Sequence, residues 1–320
     1  MKPVLSYDEY LQKLLAAPRP GAENFLAYYD HRVGAICCDP RLMLLPLDDH
    51  LAHRGDGIFE TVKYTDGYLY RLDRHLARMR RSAAGIYLEP PCPWEEIREL
   101  VIEVAAASKT TIGQIRILLG RGPGSFGIDP KESPVASLYM AAYRFTPKPE
   151  EWYKKGLKGF RTSYPAKHSY MAKLKTANYL PNALMIREAG LLGKDTPFCF
   201  DDDYFLTESS IANLCLVNQD GIIEVPEFTS ALPGTTLLRG LELLEGKVEH
   251  RFRRIRETDV IRAKELLLLG TGPDCVAVTE YEGHPVGDGK EGPIANMLRH
   301  LIQEDIRKTG IPVPGLVGKK

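Results

Sequence analysis

The stretch that indicates the fold most strongly is Lys175-Thr176-Ala177-Asn178-Tyr179-Leu180-Pro181-Asn182-Ala183-Leu184. It places a lysine just before a segment whose composition is typical of an apolar helix, with a tyrosine one helical turn after the lysine. Neighbouring groups can disfavour the charged form of such a lysine, which then becomes a nucleophilic amine able to form a Schiff base. Most of the 42 Lys and Arg residues must simply be solvated, so the significance of Lys175 depends on the other motifs along the chain.

Length and composition are those of an ordinary globular protein with a large core. The chain has 320 residues, 44% hydrophobic and 26% charged, with a net charge of +0. This balance gives no electrostatic reason to expect a nucleic-acid partner or an acidic membrane surface, and no apolar run approaches the ~20 residues of a membrane span. The six cysteines form no C-x-x-C pair, so we expect reduced thiols in a cytoplasmic protein and no metal site.

The order of strand-like and helix-like segments predicts an α/β protein with two domains. Helices are predicted at 7–17, 72–86, 94–108, 235–245 and 293–308, and strands at 112–119, 135–145, 157–164, 197–200, 204–206, 213–217 and 265–269. Two prolines and four charges in residues 144–151 indicate a linker, which we place at 146–153. The predicted divisions are an N-terminal extension at 1–24, a small domain at 25–145 and a large domain at 154–320.

A glycine-rich motif, Gly122-Pro123-Gly124-Ser125-Phe126-Gly127, matches the G-x-G-x-x-G pattern of dinucleotide sites. That function requires a helix directly afterwards, with its N-terminus against the pyrophosphate. Pro130 and Pro134 disfavour such a helix, so the motif predicts a glycine loop between two strands.

Several other motifs have residue types that bind anions or ring nitrogens. Arg78 lies among four arginines, of which one facing inward would match phosphate geometry. Gly234 and the hydroxyl residues Thr235 and Thr236 precede a predicted helix, where backbone N–H groups and the helix dipole favour an anion. Gly270-Thr271-Gly272 follows a predicted strand with the same chemistry, and Thr207-Glu208-Ser209-Ser210 contains a single carboxylate among serines.

The strand after Gly55-Asp56-Gly57 has a second possible function. Alternation along a strand places Phe59, Thr61 and Lys63 on one face. An apolar, a hydroxyl and a cationic group on one wall suit a carboxylated substrate, although the same pattern is also that of an ordinary structural strand.

In this order the motifs resemble those of the class IV, or fold type IV, pyridoxal-phosphate enzymes: branched-chain aminotransferases, D-amino-acid aminotransferases and aminodeoxychorismate lyases. The resemblance covers roughly residues 25–310. It implies an α+β small domain, a β-rich larger domain that binds pyridoxal phosphate at the cleft between them, and a homodimer. The substrates it implies are small amino acids and 2-oxo acids.

The resemblance also assigns roles to residues. Lys175, three residues before Asn178, is similar to the family's Schiff-base lysine, and Lys173 fits that spacing less well. Tyr179 corresponds to the tyrosine that contacts the cofactor's phenolic oxygen, and Glu208 to the carboxylate at its pyridine nitrogen. The phosphate-binding residues implied by the resemblance are Arg78, Thr235, Thr236 and Thr271, and the substrate-binding residues are Phe59, Thr61, Lys63, Arg116 and Gly272.

The motifs of different family members are mixed in this chain. Arg116, Tyr179 and Gly270-Thr271-Gly272 resemble the branched-chain enzymes, which act on L-amino acids, and this is the first prediction. Thr61 with Lys63 resembles the aminodeoxychorismate lyases, which release pyruvate, and this is the second. A D-amino-acid aminotransferase of the usual type comes third, because Phe126 and Ile128 stand where those enzymes have arginine and histidine. A protein of this fold that binds no cofactor and serves as an interaction module is a further alternative.

Overall fold

The computed structural model describes residues 1–318 and has a mixed α/β fold with two β-sheets. The strands are β1 (Phe25–Asp30), β2 (Ala35–Cys37), β3 (Gly57–Thr65), β4 (Tyr68–Leu69), β5 (Gly113–Gly120), β6 (Ser137–Tyr143), β7 (Leu157–Arg161), β8 (Thr196–Phe198), β9 (Asn213–Val217), β10 (Ile223–Pro226), β11 (His250–Arg253), β12 (Glu265–Gly270), β13 (Asp274–Tyr281), β14 (His284–Pro285) and β15 (Ile311–Pro312). The helices are α1 (Tyr7–Ala16), α2 (His50–His53), α3 (Leu72–Gly85), α4 (Trp94–Ala107), α5 (Glu150–Lys155), α6 (Ser169–Ala172), α7 (Leu180–Leu192), α8 (Thr235–Leu243), α9 (Glu257–Ile261) and α10 (Pro293–Thr309).

The chain forms two compact units. The first contains Met1–Leu69, Tyr87–Phe145 and residues 312–318, and the second contains Tyr70–Ile86 and Thr146–Ile311. No helix within residues 1–318 is long and apolar enough to cross a membrane.

The first unit is built on a sheet of seven strands in the order β15-β4-β3-β5-β6-β1-β2. Strands β3 and β5 pair antiparallel, and alternation along β3 places Ile58, Val62 and Tyr64 on one face, where all three are fully buried. Helix α4 packs on β1, β5 and β6. A tight turn joins β3 to β4, with Asp66 and Gly67 at φ values of 53° and 81°, which suit a hairpin.

The second unit contains a sheet in the order β11-β10-β9-β12-β13-β7-β8, with β14 paired to β13. Strands β9 and β12 are buried almost along their whole length, which is typical of strands covered on both faces. Helix α10 packs on β12, β13 and α8. The consequence is a well-packed central layer from whose strand ends the surrounding loops emerge.

Four long predicted helices are confirmed as α3, α4, α8 and α10, with ends within two residues of those expected. The glycine motif is indeed a loop between β5 and β6, with only a short 3-10 turn at Pro130–Glu132. The prediction of a strand at 204–206 is wrong. The Asp201 carboxylate accepts hydrogen bonds from the Asp203 and Phe205 N–H groups, and Tyr204 has a φ of 65°, so this segment forms a tight turn.

Two features differ from the expected domain boundaries. Residues 70–86 belong to the second unit because α3 is bonded to it: Arg78 Nη1 donates to the Pro233 carbonyl oxygen over 3.2 Å, and Tyr70 Oη donates to Asp305 Oδ2 over 2.7 Å. The second half of the segment expected as a linker lies in α5, in which Tyr153 is buried within the second unit's core.

Asp305 offers a test of the second unit's internal bonding. Its buried carboxylate accepts hydrogen bonds from Tyr70 Oη and, over 2.8 and 2.6 Å, from Arg239. Burial acts to raise the pKa of Asp305, but the Arg239 and Tyr70 hydrogen bonds outweigh it and hold the pKa below the ordinary value. We therefore expect Asp305→Asn to lower the free energy of unfolding by about 2–3 kcal/mol at neutral pH.

The loss should shrink as the pH falls through the lowered pKa of the folded protein, because the charged form of Asp305 is then lost in wild type as well. Urea titrations at several pH values measure it. Asp203→Asn, which removes an exposed ion pair with Arg254, is the matched control, with an expected change under about 0.5 kcal/mol. Equal effects of the two substitutions would contradict this account.

Candidate active site

One pocket of the second unit is lined by side chains that are far apart in the sequence. Those predicted to contact a cofactor all line it: Arg78, Lys175, Tyr179, Glu208, Thr235, Thr236 and Thr271. They come from α3, from the segment before α7, from the loop after β8, from the start of α8 and from the turn after β12. The fold therefore brings a lysine, a carboxyl group, a guanidinium group and a helix N-terminus to one place.

The lysine is held in a short connection between α6 and α7. The Lys175 backbone N–H donates to Ser82 Oγ over 3.1 Å, and its Nζ donates to Tyr179 Oη over 3.3 Å. Pro181 lies in the first turn of α7, where its missing N–H costs nothing, and Tyr179 is the residue before that helix. Lys173 is exposed, so the geometry favours Lys175 as the lysine of the pocket.

Glu208 is the acidic group of the pocket. Its Oε2 accepts a hydrogen bond from the Leu232 N–H over 3.1 Å. Burial raises the pKa of Glu208 to about 7, and the Leu232 hydrogen bond and the positive charges of Lys167, Lys175 and Arg78 offset part of this effect. Near neutral pH the protonation of this carboxyl group therefore changes when a cation or a ring nitrogen is placed against it.

A group of anion-binding donors lies at the start of α8. The first N–H groups of a helix have no partner within the helix, and here they follow Gly234. The side chain of Arg78 is buried beside them, with Nη1 bonded to the Pro233 carbonyl oxygen. Thr235 Oγ1 shares a hydrogen bond with His75 Nε2 over 3.2 Å. A Cβ added at Gly234 would lie 1.8 Å from Asn213 Oδ1, so a larger residue there would require the Asn213 side chain to move.

This donor set fits a small aromatic phosphate ester that also has an aldehyde. The α8 N-terminus and Arg78 suit the phosphate dianion, the Lys175 amine suits the aldehyde, and Glu208 suits a protonated ring nitrogen. In residues 1–318 there is no cluster of three His, Cys, Asp or Glu side chains arranged to hold a metal ion.

The residues predicted to bind substrate fall into two places. Phe59, Thr61, Lys63 and Arg116 belong to the first unit, where they share one face of its sheet. Thr61 lies directly opposite Arg116, whose Cζ stands 4.6 Å from the centroid of the Phe59 ring. Gly272 lies in the second unit, in the turn between β12 and β13 that also contains Thr271.

Sequence reasoning missed several residues around the pocket. Ser210 and Asn213 line it, and Asn213 Nδ2 donates to the Leu232 carbonyl oxygen over 2.8 Å, which positions the loop before α8. Their proximity to Glu208 in the sequence was a usable signal. Lys167 was also missed: its Nζ lies 4.2 Å from the Tyr179 ring centroid, and no sequence pattern distinguishes it from a solvated lysine.

Comparisons of the sequence and of the fold with known proteins all point to aminotransferases. Residues 57–281 match the family model described as amino-transferase class IV. The chain is 35% identical to the D-amino-acid transaminase, chloroplastic, of Arabidopsis thaliana over 95% of its own length and 82% of that protein. It is 28% identical to a putative branched-chain-amino-acid aminotransferase of Methanocaldococcus jannaschii, over 83% of this chain and 92% of that one.

Among solved structures, the fold is similar to that of a branched-chain amino acid aminotransferase crystallised with pyridoxamine 5'-phosphate. The TM-score is 0.84 at 25% identity, and the match covers 88% of this chain and 94% of that one. The branched-chain amino acid aminotransferase from Escherichia coli shares the fold as well, with a TM-score of 0.78 over 86% of this chain and 92% of that one, at 24% identity.

The raised pKa of Glu208 predicts a pH-dependent stability in the cofactor-free protein. The folded protein keeps a proton that the unfolded chain releases, so the stabilising contribution is complete below the unfolded pKa and is lost as the pH rises through about 7. Residue 208 cannot ionise in Glu208→Gln. As the pH rises from 5 to 8, we therefore expect the free energy of unfolding of this variant to increase by roughly 1–3 kcal/mol relative to that of wild type.

Chemical unfolding at both pH values measures this difference. Glu249→Gln, at an exposed glutamate, is the control and should leave the pH profile unchanged. A Glu208→Gln profile parallel to that of wild type would show that Glu208 ionises as an ordinary exposed carboxyl does.

Proposed function

Because the chain belongs to the class IV aminotransferase family, we propose that it is a pyridoxal-phosphate-dependent transaminase, which moves an amino group between an amino acid and a 2-oxo acid. The observation that supports this most is the pocket that joins Lys175, Glu208, Arg78 and the α8 N-terminus within one unit. Each charged or reactive part of the cofactor has a matching residue there.

The roles of the cofactor-contacting residues follow from their chemistry. Arg78 and the first N–H groups of α8, with the hydroxyls of Thr235 and Thr236, hold the phosphate. Thr271 adds a donor from the turn after β12. When bound, the cofactor supplies an aldehyde that combines with amines and a ring that accepts electrons from the substrate carbon. Glu208 keeps the ring nitrogen protonated, and the bound cation in turn lowers the pKa of this carboxyl.

Lys175 is the proposed catalytic residue. Its amine is the group of the pocket able to take the proton from the substrate α-carbon and to return it later, as general base and then general acid. The hydrogen bond from its Nζ to Tyr179 Oη fixes where that proton is received. A base held in one position loses less to misalignment than a freely rotating lysine does.

For the substrate, we first propose an L-amino acid with a branched apolar side chain. Arg116 lies opposite Thr61 on one face of the first sheet and presents a guanidinium group suited to a carboxylate. Phe59, stacked under Arg116, and Lys63 belong to the same face and supply an apolar surface and a second cation. Gly272, next to Thr271 in the turn between β12 and β13, is a further residue proposed to contact the substrate.

A D-amino acid is the second proposed substrate class, and the observation that favours it is the 35% identity to a D-amino-acid transaminase over 95% of this chain. The third proposal is the aminodeoxychorismate lyase reaction, favoured by Thr61 together with Lys63. The homodimer and the cytoplasmic location stay predictions; light scattering coupled to gel filtration tests the first.

Replacing the lysine tests the catalytic assignment. Lys175→Ala should lower turnover by at least about 10³-fold, because both the covalent attachment and the acid–base group are lost. Borohydride treatment of wild type loaded with cofactor should fix the cofactor on the peptide that contains Lys175, as read by mass spectrometry. Lys173→Ala is the control, since it changes an exposed lysine of the same segment. Loss of activity in that variant, with Lys175→Ala active and folded, would contradict the assignment.

A titration with amino acids separates the three substrate classes. The visible absorbance of the cofactor-loaded protein is recorded while L-leucine, D-alanine or L-glutamate is added. We expect L-leucine and L-glutamate to convert the cofactor to its aminated form. Conversion by D-alanine alone would support the D-amino-acid class instead. No conversion by any of them, with pyruvate released from aminodeoxychorismate, would contradict a transaminase and support the lyase.

A further inference from the structure

Tyr179 contacts two lysine side chains in the second unit. Lys167 Nζ is 4.2 Å from the Tyr179 ring centroid, and Lys175 Nζ is 5.6 Å from the same centroid and 3.3 Å from Tyr179 Oη. The lysine of the proposed chemistry therefore contacts the Tyr179 hydroxyl, while a second lysine, from the loop between β7 and α6, lies closer to the ring centroid.

Lys167 is in an unusual environment for a lysine that has only a structural function. Its side chain is partly buried, and burial lowers its pKa, opposed by the neighbouring acidic groups of Glu208 and Cys199. The cation–π contact with Tyr179 and the attraction to Glu208 are what stabilise its ammonium group there. An apolar side chain of the same length would fill the space without that cost.

We propose that Lys167 is a positioning residue of the catalytic pair, and that its positive charge against the Tyr179 ring acts on the Lys175 amine. This inference rests on the proposed function, because it assumes that Lys175 must be an uncharged amine to attach the cofactor. Both ammonium nitrogens are measured from one ring centroid, so their separation cannot exceed the sum of the two distances.

Two physical effects follow from this arrangement. A like charge at that range disfavours the protonated form of Lys175 and so favours the nucleophilic amine. The same charge attracts the electron-rich face of the Tyr179 ring, which keeps the hydroxyl oriented toward Lys175 Nζ. Glu208 and Cys199 are charged or titratable groups near Lys167, and Arg78 acts on Glu208; all three are present in all of the variants below.

The test uses the cofactor-free protein, so that its result does not depend on turnover. Lysines are dimethylated with ¹³C-formaldehyde, and the Lys175 signal is assigned by its absence in Lys175→Arg. An NMR titration then gives the pKa of Lys175. We expect Lys167→Met to raise this pKa by about one unit, which is the size of effect expected of one nearby charge. Lys167→Arg, which keeps the charge, should leave it near the wild-type value.

Lys173→Met is the matched control, because it removes a charge from an exposed lysine of the same segment, and it should shift the Lys175 pKa little. If Lys167→Met does not fold, Lys167→Gln replaces it. A Lys175 pKa unchanged by loss of the Lys167 charge, or raised equally by Lys173→Met, would overturn the proposal. So would a Lys167→Arg variant that behaves as Lys167→Met does.

A second readout separates this inference from the proposed function. In the cofactor-loaded protein, the pH dependence of the visible absorbance should differ from that of wild type in Lys167→Met. In Lys167→Arg it should match that of wild type. If borohydride fixes no cofactor on Lys175 in wild type, the proposed function fails, while the NMR titration still reports whether Lys167 acts on Lys175.

Discussion

The charge balance around Glu208 is the constraint on which the candidate site depends. One partly buried carboxyl group lies near the positive charges of Lys167, Lys175 and Arg78. A buried carboxylate without compensation would be strongly unfavourable, and three cations without an anion would repel one another. The combination leaves Glu208 poised near neutral pH, so a ring nitrogen or a phosphate that enters the pocket changes the protonation of its neighbours rather than meeting fixed charges.

The second unit's sheet makes that balance possible. Its central strands β9 and β12 are buried almost throughout, so their ends are fixed, and the loops that follow β8, β9 and β12 start from defined positions. Asn213 at the beginning of β9 bonds to the Leu232 carbonyl oxygen, and the Leu232 N–H bonds to Glu208. The loop before α8 thus connects the acidic group of the pocket to its anion-binding helix start through two hydrogen bonds.

Sequence reasoning selected residues that the structure brings together in one pocket, because each lies in a local pattern with a physical meaning. Lys175 precedes a helix, Thr235 and Thr236 open a helix after a glycine, and Glu208 stands before an apolar strand. It could not identify Lys167, because the contact with Tyr179 depends on how two loops fold against each other. For the same reason it did not assign residues 70–86 to the second unit, where Arg78 and Tyr70 bond to distant residues.

The distribution of functional residues between the two units explains why the family was easier to infer than the substrate. Every residue proposed to hold the cofactor belongs to the second unit. These residues must all fit the same cofactor molecule, so their pattern in the sequence is recognisable. Phe59, Thr61, Lys63 and Arg116 belong to the first unit and are side chains on one face of a sheet. Substitutions on such a face leave the strand pairing intact, because pairing uses backbone groups. Substrate preference can therefore differ among members that share the cofactor pocket, which is consistent with relatives named for both D-amino acids and branched-chain amino acids.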